Sequence, residues 1–211
     1  MRSVAESLAG RMAIVELSLL LRPELRAAAM RDRLWLVGGF PDGGVRKPRT
    51  FRQWQLNYAR LIAERDLSKR LVKAPKLVMR DSGLLHALLG ISSVDALLAH
   101  PAVGASWETH VIEQCIGVLA ARGIPHEAHH FRTSDGYDID LLLDIGRERW
   151  AIEVKLTSDP SPHDLERLGR CAQMVGATRS FLVSRVRRDA GRGARVSCGL
   201  DRMLRELVAV A

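Results

Sequence analysis

Asp140, Glu153 and Lys155 stand in the stretch DIDLLLDIGRERWAIEVK (Asp138–Lys155), which otherwise reads as two apolar strands. Two carboxylates and an ammonium group at such positions could hold a hard divalent cation and place a positive charge beside it. A strand points successive side chains to opposite faces. Asp138, Asp140 and Asp144 are therefore expected on one side of the first strand, with Ile139, Leu141 and Leu143 on the other. After the turn IGRER, Glu153 and Lys155 share one face, and Ile152, Val154 and Leu156 the opposite one. Folded as a hairpin, the acidic face of one strand meets the Glu–Lys face of the other around one candidate metal site. The competing reading is a solvated sheet face with a cross-strand salt bridge.

The elements that must position this hairpin can be read along the chain. Met12–Leu17 has the pattern of a short buried strand, and Pro23 suits the first position of a helix running to about Arg33. Val37–Arg49 is a Gly/Pro-rich loop. A second helix is expected from Phe51 to about Arg70, with Phe51, Trp54, Tyr58 and Leu61 at helical spacing. Trp35, Trp54 and Phe51 belong to a core or to a partner surface, and this first third carries enough apolar surface to suggest self-association or a protein partner. KLVMRDSGLLHALLG reads as a short strand, an Asp81 or Ser82 cap and a brief helix; VDALLAHP forms another, closed by Pro101. A long amphipathic helix is expected from Gly104, then a strand at Glu127–Thr133, the hairpin, a helix over about Asp164–Gly176, the strand SFLVSRV, and a last strand with a terminal helix.

The chain has 211 residues, 47% hydrophobic and 27% charged, as is usual for a soluble globular protein. The apolar run Ile14–Leu21 is too short for a membrane span and contains Glu16, and no secretory signal is read at the N-terminus, so a cytoplasmic location is expected. Cys115, Cys171 and Cys198 lack the spacing of a disulfide framework or zinc module and are expected as buried thiols. Adjacent His129 and His130 must face opposite ways on a strand, so with His126 they are read as surface or half-buried histidines rather than zinc ligands. The net charge of +8 is compatible with a polyanionic partner, and Arg185, Arg187, Arg188, Arg192 and Arg195 could grip a nucleic-acid backbone or simply form a basic loop.

From Gly104 to Val186 the order helix, three strands, helix, strand resembles the core of the PD-(D/E)XK nuclease-like fold. In that resemblance Asp140 takes the place of the lone metal-binding Asp, Glu153-Val154-Lys155 that of the (D/E)XK tripeptide, and Glu108, favoured over Glu113, that of an additional helix carboxylate. Consecutive stretches KRLVKAPKLVMRDSGLLHALLGI, LLAHPAVGASWETHVIEQ, HFRTSDGYDIDLLLD and WAIEVKLTSDPSP resemble the domain of unknown function 4143, found behind an AAA+ ATPase domain in prokaryotic proteins. ESLAGRMAIVELSLL resembles the end of that ATPase domain, and GGFP with FRQWQLNYARLIAERDL the helical segment after it. No G-x-x-x-x-G-K-[ST] phosphate loop is present, and AERDL runs directly into SKRLVK where the family inserts further helices. The chain is thus read as a truncated, internally shortened relative: residues 1–75 a helical remnant, 76–211 the nuclease-like domain, with no ATP binding carried over.

The fold class expected is α/β (α+β), a restriction-endonuclease-like αβββαβ core behind a mainly helical N-terminal region. The resemblance implies DNA binding and Mg²⁺- or Mn²⁺-dependent phosphodiester hydrolysis. Asp140, Glu153 and the Val154 carbonyl would hold the ion, Lys155 would orient water or stabilise developing charge, and Glu108 would assist. Arg132, beside Thr133, is a candidate phosphate contact, and Gln173 is read as a helix-face residue. The alternative is a catalytically inactive remnant that binds nucleic acid or protein through the same fold.

Overall fold

The computed structural model describes residues 19–44, 51–57, 79–132 and 137–210. The expected strand at Met12–Leu17, the helix beyond residue 57 and the strand in KLVM lie outside them. Six strands, β1 (His126–Arg132), β2 (Asp138–Ile145), β3 (Glu148–Val154), β4 (Arg179–Val183), β5 (Ala190–Arg192) and β6 (Arg195–Cys198), form one mixed sheet in the order β1-β2-β3-β4-β6-β5. β1, β2 and β3 are antiparallel neighbours, β4 lies parallel to both β3 and β6, and β5 closes the edge as a hairpin with β6. Helices α1 (Ala28–Val37), α2 (Ser82–Leu88), α3 (Val94–Leu98) and α4 (Val103–Ala121) precede the sheet, α5 (Pro162–Met174) crosses over from β3 to β4, and α6 (Leu200–Val208) ends the fold. The αβββαβ order and the α/β class expected from the sequence are present.

The two sheet faces bury different surfaces. Leu141, Leu143, Ile145, Trp150, Ile152, Phe181 and Val183 meet apolar residues of α4 and α6 in the main core. Ile139, Leu142, Ala151 and Leu182 meet Leu168, Cys171 and Ala172 of α5 in a smaller one. Ser161 and Asp164 start α5 as a reciprocal cap, each side chain accepting the other's backbone N–H, with Pro162 at the first helical position. All three cysteines are free and buried. Among the described residues, no helix is long and apolar enough to cross a membrane.

Three local expectations are corrected. Pro23 is the middle residue of only a three-residue 3₁₀ turn, Arg22–Glu24, and the helix starts at Ala28 and runs to Val37. Tertiary contacts outweigh the local signal there: the Arg22 N–H donates to Gln114 of α4 at 2.6 Å, and its guanidinium donates to Asp201. The tail holds two strands rather than one, because Gly191 and Gly193, at positive φ, turn DAGRG back along β6. Ile139 does not share a face with Leu141 and Leu143, for a reason given below.

The described part of the first third is covered by this fold. Trp35 lies in the main core, edge-on to Trp107 at 5.0 Å between ring centres, and its indole N–H donates to Ser106. Phe51 packs against that core, and Trp54 against Phe40. Of the two cap candidates, Asp81 rather than Ser82 caps α2, accepting from the Leu84 N–H, and its second oxygen accepts from Gly39. Gly38, at φ 75°, lies so near that a Cβ there would sit 2.2 Å from the Asp81 carboxylate. Burial pushes that carboxyl up, and its backbone donors oppose the shift.

Trp150 is fully buried, packed at a tilt against Phe181 at 4.9 Å between ring centres, with the Arg179 guanidinium over its ring. Trp150→Ala should therefore cost about 3–5 kcal/mol in urea unfolding. A loss below about 1 kcal/mol would place this ring outside the core.

Candidate functional site

The open end of the β2–β3 hairpin is where its backbone pairing fails. The ladder runs from Ile145↔Glu148 to Leu141↔Ile152 and stops. On the other side of β2 the register with β1 passes from His129↔Leu142 to Phe131↔Ile139, so Asp140 and Leu141 together oppose the single residue His130. This β-bulge resets the alternation, which is why Ile139 joins Leu142 on the α5 face. With the ladder ended, the Val154 N–H donates to Asp140 Oδ2 at 2.8 Å. β3 remains tied to β4 one residue further, where the Lys155 N–H donates to the Val183 carbonyl at 2.9 Å.

Glu153 shares the α5 side of β3 with Ala151, and its side chain is only 12% exposed. One oxygen, Oε1, lies 3.8 Å from Lys155 Nζ. The other, Oε2, is buried and has no hydrogen-bond partner among the described residues. Burial, and then repulsion from Asp140 and Asp138, pushes the Glu153 carboxyl up to about 8, outweighing the opposing pull of Lys155 and Arg167. Lys155 Nζ is also 3.4 Å from Asp164 Oδ1 at the start of α5. Asp164 itself is held below the usual carboxylate range, chiefly by the Ser161 hydroxyl. Arg167, one turn along α5, pairs with Asp138.

Asp140 accepts from the Val154 N–H and acts on Glu153, Lys155 lies beside Glu153, and Asp138 is within electrostatic range of it. Asp144 is at the far end of the hairpin, where Arg149 grips both its oxygens at 2.6 and 2.8 Å. Glu108 lies on α4, which packs on the opposite face, and it is not among the charges acting on Glu153. Glu113 pairs with Arg80 at 3.1 Å. Arg132 is exposed at the end of β1, in register with Asp138. Arg185, Arg187 and Arg188 are exposed in the segment after β4, Arg185 lying 5.9 Å from the Trp35 ring centre. Gln173 is exposed on α5. Sequence reading missed Asp164 and Arg167 as neighbours of the pair. Their signal was the S-x-x-D cap and the three-residue spacing that places both on one helix face.

Glu127, His129 and Asp144 also bring ligand atoms within 4.8 Å of one another. His129 and Glu127 are 3.5 Å apart, but both are exposed and Asp144 is committed to Arg149, so the group reads as a surface ion-pair cluster.

A family model described as "Domain of unknown function (DUF4143)" matches residues 103–200, from the start of α4 to the start of α6. The chain is similar to an uncharacterized protein of Mycobacterium bovis and to one of Mycobacterium tuberculosis, each 31% identical over 224 aligned residues. These alignments cover 74% of this chain and 50% of each relative, so the chain spans about half the length of the curated relatives it matches. No solved structure matches the chain. Asp138, Asp140, Glu153, Lys155, Asp164 and Arg167 all fall inside the matched region.

The raised Glu153 carboxyl has a consequence for stability. Between its ordinary 4.5 and about 8, the folded protein keeps a proton that the unfolded chain has lost, so stability falls as pH rises through that window. The upper limit of the effect is roughly 5 kcal/mol, at about 1.4 kcal/mol per pH unit. In metal-free buffer the stability difference between Glu153→Gln and wild type should therefore grow in favour of the variant from about pH 5 to pH 8. Urea unfolding across that range checks this, and a constant difference would mean that Glu153 titrates normally.

Proposed function

We propose that the region around residues 103–200 is a PD-(D/E)XK nuclease-like core, and that it binds DNA and hydrolyses its phosphodiester bonds with Mg²⁺ or Mn²⁺. The observation that carries this reading is the Asp140–Glu153 pair: two close carboxylates, one with its proton retained by burial and repulsion, and with an oxygen that no donor satisfies. An acidic pair arranged so is suited to a cation. Its donors are hard carboxylate oxygens, which suit Mg²⁺ or Mn²⁺ better than a softer ion.

Asp140 is oriented by the Val154 N–H through one oxygen, within electrostatic range of Glu153. Glu153 supplies the unsatisfied Oε2, and the Val154 carbonyl is the third candidate ligand. A divalent cation held there would acidify a water molecule and neutralise charge on a scissile phosphate. Lys155, anchored between Glu153 and Asp164, is positioned to orient that water or to take up developing negative charge. Arg132 at the end of β1, with Arg185, Arg187 and Arg188, supplies exposed cations for the nucleic-acid backbone.

A second reading, a non-catalytic module binding nucleic acid or protein, is favoured by one observation. Among the described residues, no third metal-ligating side chain accompanies Asp140 and Glu153 at ligand distance.

Labelled single-stranded, duplex and branched DNA with Mg²⁺ or Mn²⁺ separates the two. The nuclease reading predicts cleavage that Asp140→Ala and Glu153→Ala each reduce by at least about a hundredfold. DNA binding without cleavage, unchanged in Glu153→Ala, would leave the binding module standing instead.

A further inference from the structure

On the opposite side of the sheet from Glu153, a pocket of about 340 Å³ opens between α1, α4, the segment after β4 and the start of α6. Five arginines and three aspartates line it; with Arg202 paired to Glu206 outside the lining, one positive charge remains in excess. The aspartates are all engaged. Asp201 accepts from Arg22 at 2.6 Å, Asp32 lies 3.6 Å from the same guanidinium, and Asp189 accepts from the Gly199 N–H at 3.1 Å. Arg202 is held by Glu206, and Arg31 donates to the Leu25 carbonyl. Arg185 and Arg205, both exposed, form no salt bridge among the described residues.

Two buried donors in the pocket wall point the same way. Ser184 is 1% exposed and Trp107 8%, and neither the Ser184 hydroxyl nor the Trp107 indole N–H has a hydrogen-bond partner among the described residues. Unsatisfied buried donors are uncommon because their lost hydration is uncompensated. Here two occur in one small pocket with a positive surplus. Gly199, the N-cap of the nine-residue α6, also lines it and offers no capping side chain, so the positive end of that helix faces the same space.

We propose that this pocket binds a phosphate monoester, its two negative charges met by Arg185 and Arg205 and its terminal oxygens accepting from Ser184 and Trp107. A phosphate monoester, with three terminal oxygens, can meet both unpaired arginines and both donors, which a carboxylate with two oxygens does less well. The volume exceeds that of inorganic phosphate, so the ester group is accommodated with it. The site is separate from the Asp140–Glu153 pair and does not depend on its function.

The test is calorimetric titration of the whole chain with inorganic phosphate, glycerol phosphate and acetate, alongside the indole N–H resonance of Trp107 in the NMR spectrum. Glycerol phosphate should bind more tightly than acetate and shift that resonance, and Arg185→Ala or Arg205→Ala should each weaken binding about tenfold or more. Both arginines are exposed, so these variants should fold, and Glu153→Ala should bind as wild type does. A 5′-phosphorylated oligonucleotide binding better than its dephosphorylated form and than glycerol phosphate would identify a nucleic-acid end as the source of the group. Equal binding of the two esters would identify a small metabolite. No binding of either ester, equal binding of acetate, or affinity unmoved in both arginine variants would overturn the proposal.

Discussion

The hydrogen bond from the Val154 N–H to Asp140 is the contact on which the candidate site turns. A central strand that stops pairing leaves buried backbone donors exposed to loss of hydration, and such donors are rarely left unmet. Here a carboxylate side chain takes over from a backbone carbonyl at the point where β2 and β3 part. One exchange therefore does two things: it closes the sheet's hydrogen bonding and pins an acidic group at the sheet's end. β3 stays in line because its other edge continues to pair with β4 through Lys155.

Pinning Asp140 there makes Glu153 an electrostatic problem. It lies under α5 with little solvent, beside Asp140 and within range of Asp138, and the nearest cations are shared: Lys155 with Asp164, Arg167 with Asp138. Neutralisation by a proton is the cheaper outcome near neutral pH, and neutralisation by a cation is the alternative. The fold thus holds a local destabilisation at one point while two cores on either side of the sheet stabilise the rest. Locally unfavourable chemistry of this kind is common where function is located, although structural ion-pair networks produce it too.

Much of this was legible in the sequence because it rests on periodicity and on local chemistry. The alternation in DIDLLLD and ERWAIEV marked both strands, the Asp81-Ser82 pair marked a helix start, and S-P-H-D lies at the start of α5. The bulge was not legible, since strand register depends on backbone pairing that a side-chain pattern does not encode, and Ile139 was placed on the wrong face as a result. Pro23 gave a sound local signal that long-range contacts of Arg22 overrode. β5 carries no apolar alternation and exists through its pairing with β6. Spacing puts Asp164 and Arg167 on one helix face, but they reach the pair only because the crossover returns α5 over the end of β3, which is a property of topology.

The central claim is that the Asp140–Glu153 pair is built to take a divalent cation in place of a proton. Calorimetric titration of the metal-free protein with Mn²⁺, in two buffers of different ionisation enthalpy, tests it most directly. With the Glu153 carboxyl at about 8, binding near pH 7 should release close to one proton per ion, falling toward none above about pH 9, and Glu153→Gln should release none. Binding without proton release near pH 7, or no binding at all by the folded protein, would contradict the account.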